Sequence, residues 1–305
     1  MAEYLNSRRS FIKKAGLASA AIGVSPLAMA QRPNSKSQTV VIMHTNDVHS
    51  HIHPFDKEHY KYPNKGGIIR RASVIDQIRK TYKHTLLLDA GDMFQGTPFF
   101  NFYGGELEMK LMTKLKYDAA TLGNHDFDGG IDGLVKAKKH GKFDLLISNY
   151  LFENDLKKIT SPYKVFKKGR IKIGVFGIGI ELEGLVDPDL YKNTIYTDPI
   201  LAANSQASYL KDYLGCDYVI CLSHLGLDYK SAKISDKKLA AKTEKIDLII
   251  GGHTHSFLNE PLELLNSEGK KVMISQAGWA GLRLGIVNLT FTEKEKSTQS
   301  KSIDI

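Results

Sequence analysis

Apolar runs of strand length alternate along the chain with segments whose apolar positions recur at helical spacing. "TVVIMHTN" at 39–46 reads as a strand, and "GGIIRRASVIDQIRKTY" at 66–82 gathers its apolar residues on one helical face. A strand at 84–90 ("HTLLLDA"), a helix near 105–116, a strand at 117–122 ("YDAATL"), a helix near 130–140 and a strand at 143–150 ("FDLLISNY") follow. The middle is richer in β pattern, where "YKVFKK" and "RIKIGVFGI" read as neighbouring strands of an antiparallel pair. Alternation resumes with a helix near 199–214, a strand at 217–223 ("DYVICLS"), a helix near 235–244 and a strand at 246–252 ("IDLIIGG"). "KVMISQAG" and "LRLGIVNLTF" close the pattern as strands. Such an order predicts an α/β fold with both parallel and antiparallel pairing. Neither a solenoid repeat nor a Pro/Ser/Gly-rich linker interrupts it. One domain is expected over 38–293, with a loose polar tail over 294–305.

The first thirty residues stand apart. Arg8 and Arg9 precede an Ala- and Gly-rich apolar run that ends in Ala28-Met29-Ala30, the layout of a secretory signal. The paired arginines, with Phe11 close behind, resemble a twin-arginine export signal and imply a periplasmic protein. The run is shorter than the roughly 20 residues a spanning helix needs, and Pro26 interrupts it. Residues 1–30 are therefore expected to be removed, leaving 31–37 as a flexible N-terminus and no stable membrane span. Four basic residues and one acid leave with the signal, which lowers the formal charge from +9 to +6. That balance favours anionic substrates without indicating nucleic acid, and no interleaved aromatic and basic signature appears. Cys216 and Cys221 share one apolar run about 16 Å apart in extended chain, too far to bond to each other.

The polar residues carry the chemistry. Strand after strand ends in side chains of metal-ligand type: Asp47 and His49 in "NDVH", Asp92 in "DAGD", then "GNHDFD", His224 after "CLS", and His253 and His255 after "LIIGG". Ligands of open α/β sheets bind beyond the carboxyl ends of strands, so five such ends point to one site. A pair of divalent cations roughly 3.5–4 Å apart can clamp a phosphoryl oxygen and generate hydroxide near neutral pH. Such a pair needs a bridging carboxylate, and Asp92 is placed for it behind Gly91.

"TNDVH", "DAGDMFQGTP", "LGNHDFD", "LSHLG", "GGHTH" and "SQAGWAGLRLG" occur in the order that resembles the calcineurin-like metallophosphoesterases. More narrowly, the chain is similar to the N-terminal catalytic domain of the 5′-nucleotidase / 2′,3′-cyclic nucleotide phosphodiesterase family. The resemblance runs from Thr39 to about Thr290. It implies a four-layer α-β-β-α sandwich with mixed sheets. By resemblance, one metal takes Asp47, His49, Asp92 and His255, and the second takes Asp92, Asn124, His224 and His253. Oxygen and imidazole donors suit manganese, zinc or iron. His125 is implied as the residue that stabilises the transition state or protonates the leaving oxygen, with Asp128 fixing its ring. Asp126 reads as a structural hydrogen-bonder. His51 and His53 fall outside the family's spacing and read as rim residues, and "MFQGTPFFNFY" reads as core and a helix start. The implied activity is release of phosphate from nucleoside 5′-monophosphates by hydroxide attack in line. A 2′,3′-cyclic or other small phosphodiester substrate, or a non-catalytic metal-binding module, are the alternatives. Full-length members carry a second domain that binds the base, so a separate polypeptide resembling it is an expected partner.

Overall fold

The computed structural model describes residues 37–293 and 295–305, so the export signal expected over 1–30 lies outside the described residues. Strands are numbered in chain order: β1 (Gln38–Thr45), β2 (Thr85–Asp89), β3 (Ala119–Ala120), β4 (Asp144–Leu146), β5 (Tyr150–Leu151), β6 (Thr160–Ser161), β7 (Tyr163–Lys168) and β8 (Ile171–Ile178). They continue with β9 (Ile195–Tyr196), β10 (Tyr218–Ser223), β11 (Leu248–Gly251), β12 (Leu262–Leu265), β13 (Lys271–Ser275), β14 (Arg283–Phe291) and β15 (Lys296–Asp304). Seven strands form one sheet in the order β15-β14-β1-β2-β3-β4-β6, and six form another in the order β12-β13-β11-β10-β8-β7. Both are mixed. In the first, β1, β2, β3, β4 and β6 run parallel beside antiparallel β14. In the second, β8, β10, β11 and β13 run parallel between antiparallel β7 and β12.

Successive side chains of a strand point to opposite faces, and the central strands are apolar on both. Val40 and Ile42 of β1 join Ile220, Leu222, Leu248 and Ile250 in a core between the two sheets. Val41 and Met43 point the other way, against Ile75, Met109 and Leu134 of the helices Ile68–Thr81, Glu106–Lys114 and Gly130–Lys138. On the far side Val219, Cys221 and Ile249 meet Ala203, Ala207 and Leu239 of the helices Pro199–Ser208 and Asp236–Lys242. Three cores separate four layers, α-β-β-α. Each fully buried Leu or Ile contributes about 1.5–3 kcal/mol, so the strands drive the stacking of the sheets.

Several expected elements differ in the structure. The tail over 294–305 is not loose: β15 pairs with β14 from Arg283↔Asp304 to Phe291↔Lys296. None of its nine residues is buried, which suits the polar sequence of an exposed edge strand. Ile305 is buried at its end, donating its N–H to the Leu282 carbonyl at 2.8 Å. The strand expected at 117–122 shortens to β3, where Asp118 turns its carboxylate back to accept from the Leu87 N–H at 2.8 Å. The strand expected at 143–150 divides into β4 and β5. Asn149 between them bonds both backbone groups of Gly179, each at 2.8 Å, and diverts the chain. The helix expected to reach residue 214 ends at Ser208 and continues as a wider π turn over Tyr209–Tyr213.

His44 on β1 is fully buried, with Nε2 2.9 Å from the Ser275 hydroxyl on β13, so it ties one sheet to the other. Burial lowers its pKa from 6.5 to about 4. The folded state thus keeps the ring neutral where the unfolded chain takes up a proton. This contribution is complete above pH 6.5 and is lost as pH falls toward 4, a loss of about 3 kcal/mol. His44→Gln, which does not titrate, is expected to show a flatter fall in stability across that window. Urea unfolding of both proteins at several pH values between 7 and 4 measures it, and identical pH slopes would contradict the assignment.

Candidate metal centre

All the candidate ligands sit on loops at the carboxyl ends of parallel strands. Asp47 and His49 follow β1, Asp92 follows β2, Asn124 follows β3, His224 follows β10, and His253 and His255 follow β11. These loops are tight. Asp47, His49, Asp92, His253 and His255 all have left-handed backbone, with φ between 49° and 69°. Non-glycine residues hold that region at a cost of about 1–2 kcal/mol each, which the surrounding bonds must offset. Two glycines permit the closest approach. A Cβ on Gly123 would stand 2.1 Å from Asp92 Oδ1, and one on Gly91 would stand 2.6 Å from the Gly123 nitrogen.

The side chains form two groups, each able to hold a metal ion: Asp47, His49 and His255, and Asp92, His224 and His253. Asn124 joins the second, its Oδ1 2.9 Å from His253 Nδ1. Asp92 Oδ2 lies 3.0 Å from His224 Nε2 and 3.7 Å from His49 Nε2, so one carboxylate reaches both groups. Asp47 Oδ1 lies 3.5 Å from His255 Nε2 and 3.9 Å from His49 Nε2.

The tautomers test whether cations fit. His224 Nδ1 donates to the Ala90 carbonyl at 2.6 Å, so Nε2 turns a lone pair toward Asp92. That buried nitrogen has no hydrogen-bond partner. His49 Nδ1 donates to the Gln95 carbonyl at 3.0 Å, leaving its Nε2 3.1 Å from His255 Nε2. Lone pairs facing carboxylates, or one another, repel unless positive charge lies between them. Without a metal, protons supply that charge. Burial opposes protonation of His224, but Asp92 and Asp47 outweigh it and push its pKa up to about 10. Burial likewise opposes ionisation of Asp92, yet His224, His49 and His125 hold its carboxyl below the usual range. His253 shows the reverse, lowered to about 4 by burial and then by the His224 charge. The donor set is oxygen and imidazole, and both cysteines are buried in the sheets' outer core. The residues fit a pair of divalent cations.

His125 borders the first group, its ring 5.2 Å from that of His49 and edge-on to it. Its backbone N–H donates to Asp92 Oδ1 at 2.8 Å, and its Nδ1 lies 2.8 Å from Asp128 Oδ2. The Asp128 hydrogen bond, against opposing burial, raises the His125 pKa. Asp126 belongs to neither group and accepts from the N–H of Gly123 at 2.8 Å, Asp92 at 3.0 Å, Met93 at 2.9 Å and Phe94 at 3.3 Å. One carboxylate therefore locks the β2 and β3 loops together.

Other histidines stay outside. His51 donates from Nδ1 to the His49 carbonyl at 3.0 Å and rests against Trp279, while exposed His53 lies against Phe99. The aromatic stretch expected as core divides: Met93 and Phe94 are buried, whereas Phe102 and Tyr103 are exposed on the short helix Pro98–Tyr103. Asn46 and Gln276 were not anticipated. Asn46 Nδ2 donates to Asp47 Oδ2 and to the Gly278 carbonyl, both at 2.6 Å, and Gln276 Nε2 donates to the Gly252 carbonyl at 2.7 Å. Their sequence signal is a buried amide beside a ligand motif, in "TNDVH" and "SQAGWAG".

Residues 40–257 match the family model described as calcineurin-like phosphoesterase. The chain belongs to that family. Among its curated relatives are the snake venom 5′-nucleotidase of Crotalus adamanteus, 34% identical over 277 residues, and the 5′-nucleotidase of Homo sapiens, 33% identical over 285 residues. Those alignments cover 84% and 86% of this chain but 46% and 48% of the relatives. Among solved structures, the 5′-nucleotidase precursor from Thermus thermophilus matches with a TM-score of 0.79 at 30% identity, over 88% of this chain and 55% of that one. The chain spans about half the length of these family members.

Asp126→Ala would leave four buried N–H groups without an acceptor. It is expected to destabilise the chelator-treated protein by about 3–5 kcal/mol, read by urea unfolding. A loss below about 1 kcal/mol would remove Asp126 from the role of brace.

Proposed function

We propose that the protein hydrolyses phosphate monoesters, nucleoside 5′-monophosphates foremost, using two divalent cations. Asp47, His49, Asp92 and His255 would hold one, and Asp92, Asn124, His224 and His253 the other. The observation that carries this reading is the single Asp92 carboxylate within reach of both groups, beside the partly exposed His125–Asp128 pair. The cation pair, when bound, supplies Lewis acidity to a phosphoryl oxygen and lowers the pKa of water toward neutrality.

The chain's own residues do the remaining work. Asn124 contributes a neutral amide oxygen, so it adds no negative charge against an anionic substrate. His125 is tied at Nδ1 to Asp128, which leaves Nε2 to face the substrate. Asp128 stabilises the imidazolium form, and Nε2–H can then donate to a phosphoryl oxygen or to the departing alkoxide. The Asp126 brace keeps the Asp92 and Asn124 loops in register while charge develops.

The relatives' names support a nucleotide substrate, and their unmatched half supports recognition of the nucleoside by a domain or polypeptide beyond residues 37–305. The Arg8-Arg9 leader and its Ala28-Met29-Ala30 exit support export to the periplasm. No helix among the described residues is long and apolar enough to cross a membrane.

Stripped protein reloaded with Mn²⁺ is expected to release phosphate from adenosine 5′-monophosphate and from a chromogenic monoester, and chelation to abolish both. Faster cleavage of a 2′,3′-cyclic nucleotide than of any monoester would replace this reading with the diesterase one. Metal binding with neither activity would favour a non-catalytic module. Asp92→Asn is expected to lose both ions together with turnover, whereas His125→Ala should keep its metal and lose about 10²–10⁴-fold in kcat. Metal analysis beside kinetics checks this pair, and equal metal loss in the two variants would contradict the assigned roles.

A further inference from the structure

The four histidines of the two groups are not held alike. His224 and His49 anchor Nδ1 on the backbone carbonyls of Ala90 and Gln95, whereas Nδ1 of His253 meets only Asn124 of its own group. His255 has no such anchor among the described residues. Its polar ring contacts are made by Nε2 alone, to His49 and Asp47 within its own group. Its side chain is also 40% exposed, against 8% for His49 and none for His224.

What faces the His255 ring instead is Trp279. The indole lies parallel to the imidazole within 3°, with ring centroids 5.6 Å apart. His51 and Phe55 meet the indole edge-on at 5.2 Å and 5.9 Å, so its own plane is boxed in. The loop that carries it is fixed to both neighbours of the stack. The Ala280 N–H donates to the Asp47 carbonyl at 2.7 Å, and the Gly278 N–H donates to the Ser256 carbonyl at 3.0 Å. Phe257 presses on that loop so closely that a Cβ on Gly278 would stand 2.3 Å from its ring.

We propose that Trp279 is a positioning residue: its indole face sets the plane of the His255 imidazole and thereby completes the Asp47–His49–His255 ion site. The proposal rests on the reading that this group holds a divalent cation. A ring already oriented loses less freedom when it ligates, and parallel stacking sets the plane of His255, whereas a backbone carbonyl sets both plane and tautomer for His224 and His49. Trp279 is also the only tryptophan of the chain, so its emission reports this one position.

The test titrates chelator-stripped wild type, Trp279→Phe and Trp279→Leu with Co²⁺ by calorimetry, and records the melting temperature of each metal-free protein. Wild type is expected to bind two ions. Trp279→Leu should weaken one of them about tenfold and leave the other unchanged, while Trp279→Phe, which keeps a ring face, should recover most of that loss. Unchanged affinities in Trp279→Leu would overturn the proposal and leave the two-cation reading standing. Failure of wild type to bind Co²⁺ would overturn both. Should Trp279→Leu fail to fold, the wild-type indole decides: saturable quenching by Co²⁺ is expected, and emission that does not respond to saturating Co²⁺ overturns the stack.

Discussion

Two buried carboxylates and four imidazole rings converge beyond the carboxyl ends of the strands, and with every ring neutral they repel. Asp47 and Asp92 are almost wholly removed from water, and the Nε2 atoms of His49 and His224 point lone pairs toward them because their Nδ1 protons are committed to backbone carbonyls. Inside a poorly solvated site such an arrangement is tolerable only with compensating positive charge. The loops around the site hold these groups in place against that repulsion. Left-handed loops aim them inward, Asp126 gathers four N–H groups to brace two of the loops, and Asn46 stitches the first loop to the segment before β14.

The stacked sheets explain why the groups can meet at all. β1, β2 and β3 are parallel neighbours in one sheet, and β10 and β11 are parallel neighbours in the other. Packing the two faces through one apolar core brings both sets of carboxyl ends to a common edge. Asp47 of the first sheet thereby reaches His255 of the second. The left-handed backbone of the ligands falls in the loops, so the site is carried on central strands whose cores are largely apolar, and buried polar groups such as His44 and Asn149 are hydrogen-bonded.

Much of this was legible in the residues. An apolar run that stops at Asp, His or Asn five times over marks strand ends that share a task, and the ordered motifs identify the family. Less legible was anything set by an edge or by contact between distant segments. β15 has no buried residue and only one apolar one, Ile303, so its pairing with β14 has no apolar signature. β3 begins only after Asp118, whose carboxylate accepts from the Leu87 N–H of neighbouring β2, a contact between distant segments that periodicity does not register. Asn46 reaches Gly278 as well as the adjacent Asp47, Trp279 meets His255 more than twenty residues away, and no spacing rule announces the long-range contacts.

The most direct test of the central claim is a crystal structure of the Mn²⁺-loaded protein with anomalous scattering recorded at the manganese edge. The account predicts two peaks roughly 3.5–4 Å apart with the Asp92 carboxylate touching both. A single peak, or two ions of which Asp92 contacts only one, would contradict it.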